Sequence, residues 1–181
     1  MILSCQNINK AFHEKQVFKN CSFHIEDHEK AAIVGINGAG KTTLLRIIVG
    51  ELEADSGQVV FGKDTSYGYL AQNAETDGEN TIYDELLEVK KDVILLEEKI
   101  RSCELEMKHV EGDALTALME QYALYTHQFE QADGYSYKSV ITGVLKGLGF
   151  TEEEFSKQAS TLSGGQKTRV ALGKLLLRKP D

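Results

Sequence analysis

Residues 35–42 read GINGAGKT, and no other stretch says as much about the architecture of this chain. The stretch matches the phosphate-loop pattern G-x-x-x-x-G-K-[ST] in full, with Lys41 and Thr42 at its last two positions. Glycines let the backbone turn tightly, so that consecutive N–H groups point at one phosphate chain. A helix that begins near Lys41 adds the positive end of its dipole. The loop therefore predicts a site for nucleotide phosphates.

The sequence on both sides of the loop supports this interpretation. Residues 30–34 are a short apolar run that suits a strand buried on both faces, as in a parallel sheet. Residues 41–49 have the apolar spacing of a helix. Further strands are expected within residues 1–34, at 58–61 and at 66–70. Together these elements predict an α/β fold of the P-loop NTPase class.

The side chains of the loop have separate expected roles. The Lys41 ammonium reaches the β and γ phosphates, and the Thr42 hydroxyl is a ligand for Mg²⁺. ATP and Mg²⁺ are therefore the expected cofactors. The residues expected to contact ATP are Gly35, Asn37, Gly38, Ala39, Gly40, Lys41, Thr42 and Thr43.

A second motif lies at residues 162–166, which read LSGGQ. Ser163 offers a hydroxyl there, and Gly164 and Gly165 offer unobstructed N–H groups at a helix start, which makes another anion site. Gln72, in the sequence YLAQN, lies between the two motifs. With these three motifs in this order, the chain resembles the ATP-binding-cassette (ABC) superfamily over essentially its whole length.

The resemblance implies roles that the patterns alone do not assign. It implies that Phe12 stacks on adenine, although an aromatic residue near a strand end is otherwise most often a core residue. It implies that Gln72, the Q-loop glutamine, joins Thr42 in binding Mg²⁺. Ser163 also suits an ordinary helix cap, and both roles are compatible. The signature residues implied to serve the γ-phosphate of an opposing domain are Leu162, Ser163, Gly164, Gly165 and Gln166.

In the family that opposing domain is a second ABC cassette, and the two cassettes enclose two ATP molecules. A second cassette, either in the same parent chain or in a homodimer, is therefore an implied partner. The phosphate loop and the signature of one chain would then act on two different nucleotide sites.

Heptads dominate the sequence between Gln72 and the signature. Apolar residues recur at alternating spacings of 3 and 4 from Leu86 to Val110, and again from Leu115 to Ala132. An antiparallel helical hairpin buries both seams, whereas a competing interpretation packs one seam on the main core.

The remainder of the chain is expected to be helical. Helices are expected near residues 139–148 and 165–178, with a short capped helix that begins at Thr151. The predicted domains are a nucleotide-binding core with a β subdomain, a helical arm, and a helical subdomain with the signature, at residues 1–80, 81–135 and 136–181.

Composition excludes several classes of function. The 181 residues carry a formal net charge of −8, which disfavours a generic nucleic-acid binder. Residues 84–133 alone hold thirteen acidic and five basic side chains, while the rest of the chain is balanced. No stretch approaches the roughly 18 apolar residues of a membrane helix, and no signal-peptide pattern is present. The lack of such a stretch predicts no direct membrane insertion. Three widely spaced cysteines suit a reducing cytoplasm.

The sequence around the hairpin resembles the first cassette of the ABC-F group, whose members are soluble, have two cassettes and lack a membrane domain. The resemblance implies ATP hydrolysis coupled to a task on the ribosome, in translation or antibiotic resistance. The stretches that carry it are Tyr122, Phe129, 133–135, 144–150, 162–169 and 175–181.

An acidic hairpin disfavours simple electrostatic docking on ribosomal RNA. Three alternatives remain for the hairpin. It contacts ribosomal protein, it presents its few basic residues locally to RNA, or it has another role. The alternative functions are the ATP-binding subunit of an ABC membrane transporter, a chromosome- or repair-type cassette with far longer heptads, and a scaffold that uses ATP only to hold parts together.

The catalytic part of the family pattern is missing from these residues. In the family, the next strand carries a magnesium-binding aspartate and the catalytic glutamate, but no apolar strand ending in Asp-Glu is recognisable between Gln72 and Asp181. We therefore expect a truncated piece of a longer cassette, with no catalytic residue of its own. Such a piece is expected to bind nucleotide without hydrolysing it, while the full-length parent is an ATPase.

Overall fold

The computed structural model describes residues 1–13, 15–71 and 79–180. These residues form two compact units, Met1–Tyr69 and Leu70–Pro180. Gln72 lies outside the described residues, so its predicted role stays a prediction. The division of the chain at residues 80 and 135 likewise stays a prediction.

The first unit is a three-stranded antiparallel sheet with one helix. The sheet has the order β2-β1-β3. Ile47 of the helix is buried with Leu3, Cys5 and Ile8 of the first strand, which forms the core of the unit. The elements are β1 (Leu3–Phe12), β2 (Lys15–Ile25), α1 (Lys41–Ile48) and β3 (Ser56–Phe61).

Cys5 behaves as a small core residue. It is 1% exposed, and burial raises the pKa of its thiol to about 11. A thiol that stays protonated is a poor nucleophile and a poor metal ligand. All three cysteines are free, which agrees with the interpretation of the cysteines as small hydrophobic residues.

Two predicted strands are wrong. Residues 30–34 and 66–70 form no strand, and Val34 is 91% exposed. A strand buried on both faces needs paired strands beside it and helices above and below it. In the described ranges the sheet contains only β1, β2 and β3, and none of them pairs with residues 30–34. The other predicted strands, which are those before residue 30 and the one at 58–61, are confirmed.

The second unit is helical. Capping boxes start three of its segments: Thr81 with Asp84 caps the first helix, Thr151 with Glu154 caps the predicted short one, which is a 3₁₀ helix, and a third starts the last helix. Its helices are α2 (Ile82–Leu87), α3 (Lys91–Glu106), α4 (Asp113–Gln131), α5 (Tyr137–Gly147) and α6 (Gly164–Arg178), with 3₁₀ helices at Glu88–Lys90, Glu152–Glu154 and Ala159–Thr161.

The heptad hairpin is confirmed. α3 and α4 pack against each other in opposite directions, and every predicted seam residue is buried or half-buried. Val93 and Phe129, near the base of the hairpin, also join the core of the unit. Ile94, outside the seams, is half-buried against the core. Four other large apolar residues outside the seams are 43% to 56% exposed, and they are Leu95, Leu105, Met119 and Leu124. The heptad spacing therefore separates the leucines that are buried or half-buried in the seams from those that are exposed.

Candidate functional site

The phosphate loop adopts a backbone conformation that suits glycine. Gly38 and Gly40 have φ angles of +82° and +95°. A Cβ atom on Gly40 would lie 2.3 Å from Val17 Cγ1 and 2.9 Å from Phe18 Cζ. The end of the loop therefore runs directly against two side chains of β2, and these contacts determine where the loop lies.

α1 offers unpaired N–H groups to a ligand. Its first hydrogen bond runs from the Leu44 N–H to the Gly40 carbonyl at 2.9 Å. The N–H groups of Lys41, Thr42 and Thr43 precede this bond and therefore lack acceptors within the helix. No acidic side chain lies in the first turn. The partial positive charge of the helix start is thus available to a phosphate.

Lys41 is held at the loop by its own backbone. The ammonium donates to the Gly35 carbonyl at 2.8 Å and to the Ile36 carbonyl at 2.9 Å. These neutral acceptors keep the charge in place beside the exposed loop. A phosphate oxygen is a stronger acceptor than a carbonyl, so transfer of the ammonium to a phosphate is favourable.

The other predicted contacts of the loop are accessible. Thr42, Asn37 and Ala39 are exposed, and Thr43 is half-buried. The residues present thus fit a phosphate chain, and the exposed Thr42 hydroxyl fits a ligand of Mg²⁺. Bound magnesium would neutralise phosphate charge, while Lys41 and the α1 N–H groups would orient the phosphates.

Phe12 lies at the end of β1 and is 44% exposed. The Lys10 ammonium is 5.5 Å from the centre of its ring and is itself bound to Asp55 at 2.8 Å. This hydrogen bond from Lys10 is the main reason that the pKa of Asp55 lies below its usual value. An exposed ring fits the predicted stacking on adenine better than the core role that was its alternative.

The signature motif starts α6. Ser163 Oγ accepts from the Gln166 N–H at 3.3 Å, and Gln166 Oε1 accepts from the Ser163 N–H at 3.0 Å. This capping box leaves the N–H groups of Gly164 and Gly165 exposed at the helix start, where added Cβ atoms would meet nothing within 4 Å. Leu162 is buried in the core of the unit and anchors the motif.

A buried ion pair beside the signature helix was missed by sequence reasoning. Glu85 of α2 is completely buried, and one of its carboxylate oxygens accepts from the Lys174 ammonium of α6. Its other oxygen has no hydrogen-bond partner among the described residues. Ile82, three residues earlier, is also buried, so this spacing was the one signal that Glu85 faces the core.

Three features define a P-loop nucleotide-binding domain of the cassette type. They are the glycine-rich loop that leads into α1, the antiparallel sheet, and the LSGGQ motif that starts α6. A family model described as "ABC transporter" matches residues 18–181, and the chain belongs to this family. It is an ABC-type ATP-binding domain. Members of the family bind ATP with Mg²⁺ and hydrolyse it. Among the described residues, no helix combines the length and apolar character needed to cross a membrane.

Similar proteins come from bacteria and plants. The ATP-binding protein YdiF of Bacillus subtilis is 40% identical over 181 residues, which cover all of this chain and 28% of YdiF. The tylosin resistance ATP-binding protein TlrC of Streptomyces fradiae is 33% identical, with 99% of this chain and 33% of TlrC covered. The ABC transporter F family member 5 of Arabidopsis thaliana is 32% identical, with 97% of this chain and 26% of that protein covered. The chain thus spans about a third or less of these relatives.

Solved structures share the fold. The ATP-binding subunit of an ABC transporter superposes with a TM-score of 0.67 at 17% identity, covering 99% of this chain and 63% of that one. A nucleotide-free ATP-binding cassette from an ABC transporter gives a TM-score of 0.55 at 25% identity, covering 99% and 66%. This similarity confirms the predicted fold class, a P-loop NTPase of the ABC type.

Proposed function

We propose that the chain is the ATP-binding domain of an ABC-F-type ATPase, whose full-length form acts in the cytoplasm on the ribosome. The observation that carries the proposal is the hairpin of α3 and α4, helices of 16 and 19 residues, which precedes the signature. Relatives named as an F family member and as a tylosin resistance protein support the same group. A transporter subunit is the alternative, and it is expected to carry a compact helical subdomain at this point.

In the proposed function the chain's residues fall into two groups. The phosphate loop, with Lys41 and Thr42, holds the phosphates and Mg²⁺ of one ATP, and Phe12 stacks on its adenine. The signature at residues 162–166 directs the N–H groups at the start of α6 toward the γ-phosphate bound by a second cassette. Gln72 completes the magnesium site.

We expect the 181-residue chain to bind ATP–Mg²⁺ without hydrolysing it. Binding uses the loop and the α1 N–H groups, whereas the described residues 79–180 contain no strand that would present an aspartate and a glutamate to the γ-phosphate. Replacing Lys41 by alanine should weaken binding of a fluorescent ATP analogue about tenfold or more, because a charged partner of the phosphates is lost.

Lys63→Ala serves as the matched control, since Lys63 is exposed and lies outside the loop. It should leave the affinity for the analogue unchanged. Steady-state release of phosphate by the native chain, abolished by Lys41→Ala, would refute the second half of this proposal.

The ribosomal role is tested on the full-length product of the gene. With ATP present, it should co-sediment with ribosomes, and the Lys41→Ala variant should do so less, because the two cassettes close only around nucleotide. Equal amounts of both proteins in the ribosomal pellet would count against the proposal. Recovery with a membrane permease would favour the transporter alternative.

A further inference from the structure

A cavity of about 290 Å³ lies at the base of the hairpin, between α3, α4 and the start of α5. All of its walls belong to the helical unit. Ligand pockets for whole small molecules measure about 300–1,000 Å³, so this cavity suits one side chain or one small group. Neither the phosphate loop nor the signature contributes to it.

The charged groups of the cavity leave one negative charge unbalanced. Glu97 is engaged: the Tyr137 hydroxyl donates to its carboxylate at 2.7 Å, and the Lys138 ammonium lies at 3.5 Å. The hydrogen bond from Tyr137 is the main cause that keeps the pKa of Glu97 below its usual value, so this carboxylate is ionised at neutral pH. Glu104 is exposed and accepts from the Tyr122 hydroxyl at 3.3 Å, and the described residues occupy no other of its acceptor positions.

Thr126, on the wall of the same cavity, has a buried hydroxyl without a hydrogen-bond partner in the described part of the chain. A buried hydroxyl without a partner destabilises a protein, and native structures contain few of them. This atom is independent of the two carboxylates. It is one polar atom of the cavity wall that the described residues leave unsatisfied.

Aromatic rings form much of the remaining wall. The Tyr135 ring is 77% exposed and packs edge-on against Phe129, with ring centres 5.1 Å apart. Tyr122, which lies on α4 two turns before Phe129, also lines the cavity. Ring faces attract cations, and a guanidinium stacks on them while it donates two parallel hydrogen bonds to one carboxylate. A lysine ammonium supplies the positive charge but not the planar pair of N–H donors that an arginine directs at one carboxylate.

We propose that this cavity binds the guanidinium group of an arginine side chain from a basic protein segment. The Glu104 carboxylate accepts its N–H groups, Thr126 supplies a further acceptor, and Tyr122 and Tyr135 flank its plane. The segment of residues 84–133, which contains the hairpin, holds thirteen acidic against five basic side chains, so it attracts a basic segment and repels nucleic acid. The site goes beyond the proposed function and requires no nucleotide.

The proposal is tested by calorimetric titration of the native chain, without nucleotide and at low ionic strength, with an Arg-Gly repeat peptide. A second peptide carries citrulline, the neutral isostere, in place of arginine. We expect the arginine peptide to bind, the citrulline peptide to bind at least about tenfold more weakly, and a Lys-Gly peptide to lie between them. Equal affinity for the arginine and citrulline peptides, or no binding of either, would overturn the proposal.

Two variants locate the site. Glu104→Gln should weaken binding of the arginine peptide about tenfold, because a charge-assisted bond becomes a neutral one. Tyr135→Leu should also weaken it, and because the side chain is 77% exposed we expect only a small change in stability. Glu120→Gln is the matched control: it removes the same charge from an exposed position on α4 outside the cavity and should leave the affinity within about twofold.

Two results would contradict the assignment of an arginine site to this cavity. An equal loss for Glu104→Gln and Glu120→Gln would show that the hairpin attracts basic peptides only through its overall charge. Binding of poly(U) RNA that Glu104→Gln alters would show that the cavity serves nucleic acid. Because no nucleotide is present, neither result depends on the phosphate loop or on the ribosomal role.

Discussion

Replacing Lys174 by methionine should lower the free energy of unfolding of the helical unit by about 3 kcal/mol. Glu85 is completely buried, and Lys174, whose side chain is 23% exposed, is its charged partner. Because the other Glu85 oxygen already lacks a hydrogen-bond partner among the described residues, removal of the ammonium leaves a buried charge without compensation. Urea denaturation followed by far-ultraviolet circular dichroism measures the loss.

Two further variants separate the pair from general effects of charge. The double replacement Glu85→Leu with Lys174→Met should recover most of the loss, because an apolar pair no longer contains a buried charge. Lys146→Met breaks an exposed ion pair with Glu152 and should change stability far less. A Lys174→Met variant as stable as the native chain would show that water reaches Glu85.

The same variant has a functional consequence. α2 leads into the hairpin and α6 begins at the signature, and the two helices pack against each other. The ion pair between Glu85 and Lys174 therefore fixes the base of the hairpin to the signature helix. A Lys174→Met variant is expected to weaken this connection and to keep its apolar part, in which Leu86 packs at Gly173.

Replacing Gly40 by alanine should weaken nucleotide binding more than tenfold. Gly40 has a φ angle of +95°, and the new Cβ would lie 2.3 Å from Val17 Cγ1. Val17 is β-branched and has little rotamer freedom to move aside. The loop must therefore shift away from β2, and the N–H groups of Lys41, Thr42 and Thr43 shift with it. Binding of a fluorescent ATP analogue measures the effect.

Gly50→Ala provides the matched control. Gly50 also has a positive φ angle, +80°, but a Cβ there would meet nothing within 4 Å. The Gly50→Ala variant should have a free energy of unfolding about 1 kcal/mol lower because of backbone strain, while its affinity for nucleotide stays unchanged. If both variants bind nucleotide equally, the contact between Gly40 and β2 does not position the loop.

Elements with a local signal were predictable from the sequence. The hairpin follows from apolar residues that recur every 3 or 4 positions, and the same period separated the buried seam from exposed residues such as Leu105. The start of α6 follows from Ser163 and Gln166, whose capping box closes within four residues. These interactions join near neighbours in the chain, so their residue types alone reveal them.

The strand expected at residues 30–34 failed for the opposite reason. Its apolar run indicates burial, but burial of a strand depends on partners from elsewhere, and β1, β2 and β3 do not provide them. Glu85 shows the same limit, because its partner Lys174 lies 89 residues away. Helical spacing places Glu85 on the buried face of α2 but cannot name the cation that meets it.

The sequence was sufficient to assign the family, the phosphate loop, the signature and the hairpin, because each is a contiguous pattern of residue types with its own local geometry. The contact of Gly40 with Val17, the ion pair of Glu85 with Lys174, and the cavity between Glu104 and Tyr135 exist only in the folded chain. Each of these three features joins residues that are far apart in the sequence and follow no regular spacing. These residues come into contact only when separate helices and strands pack together.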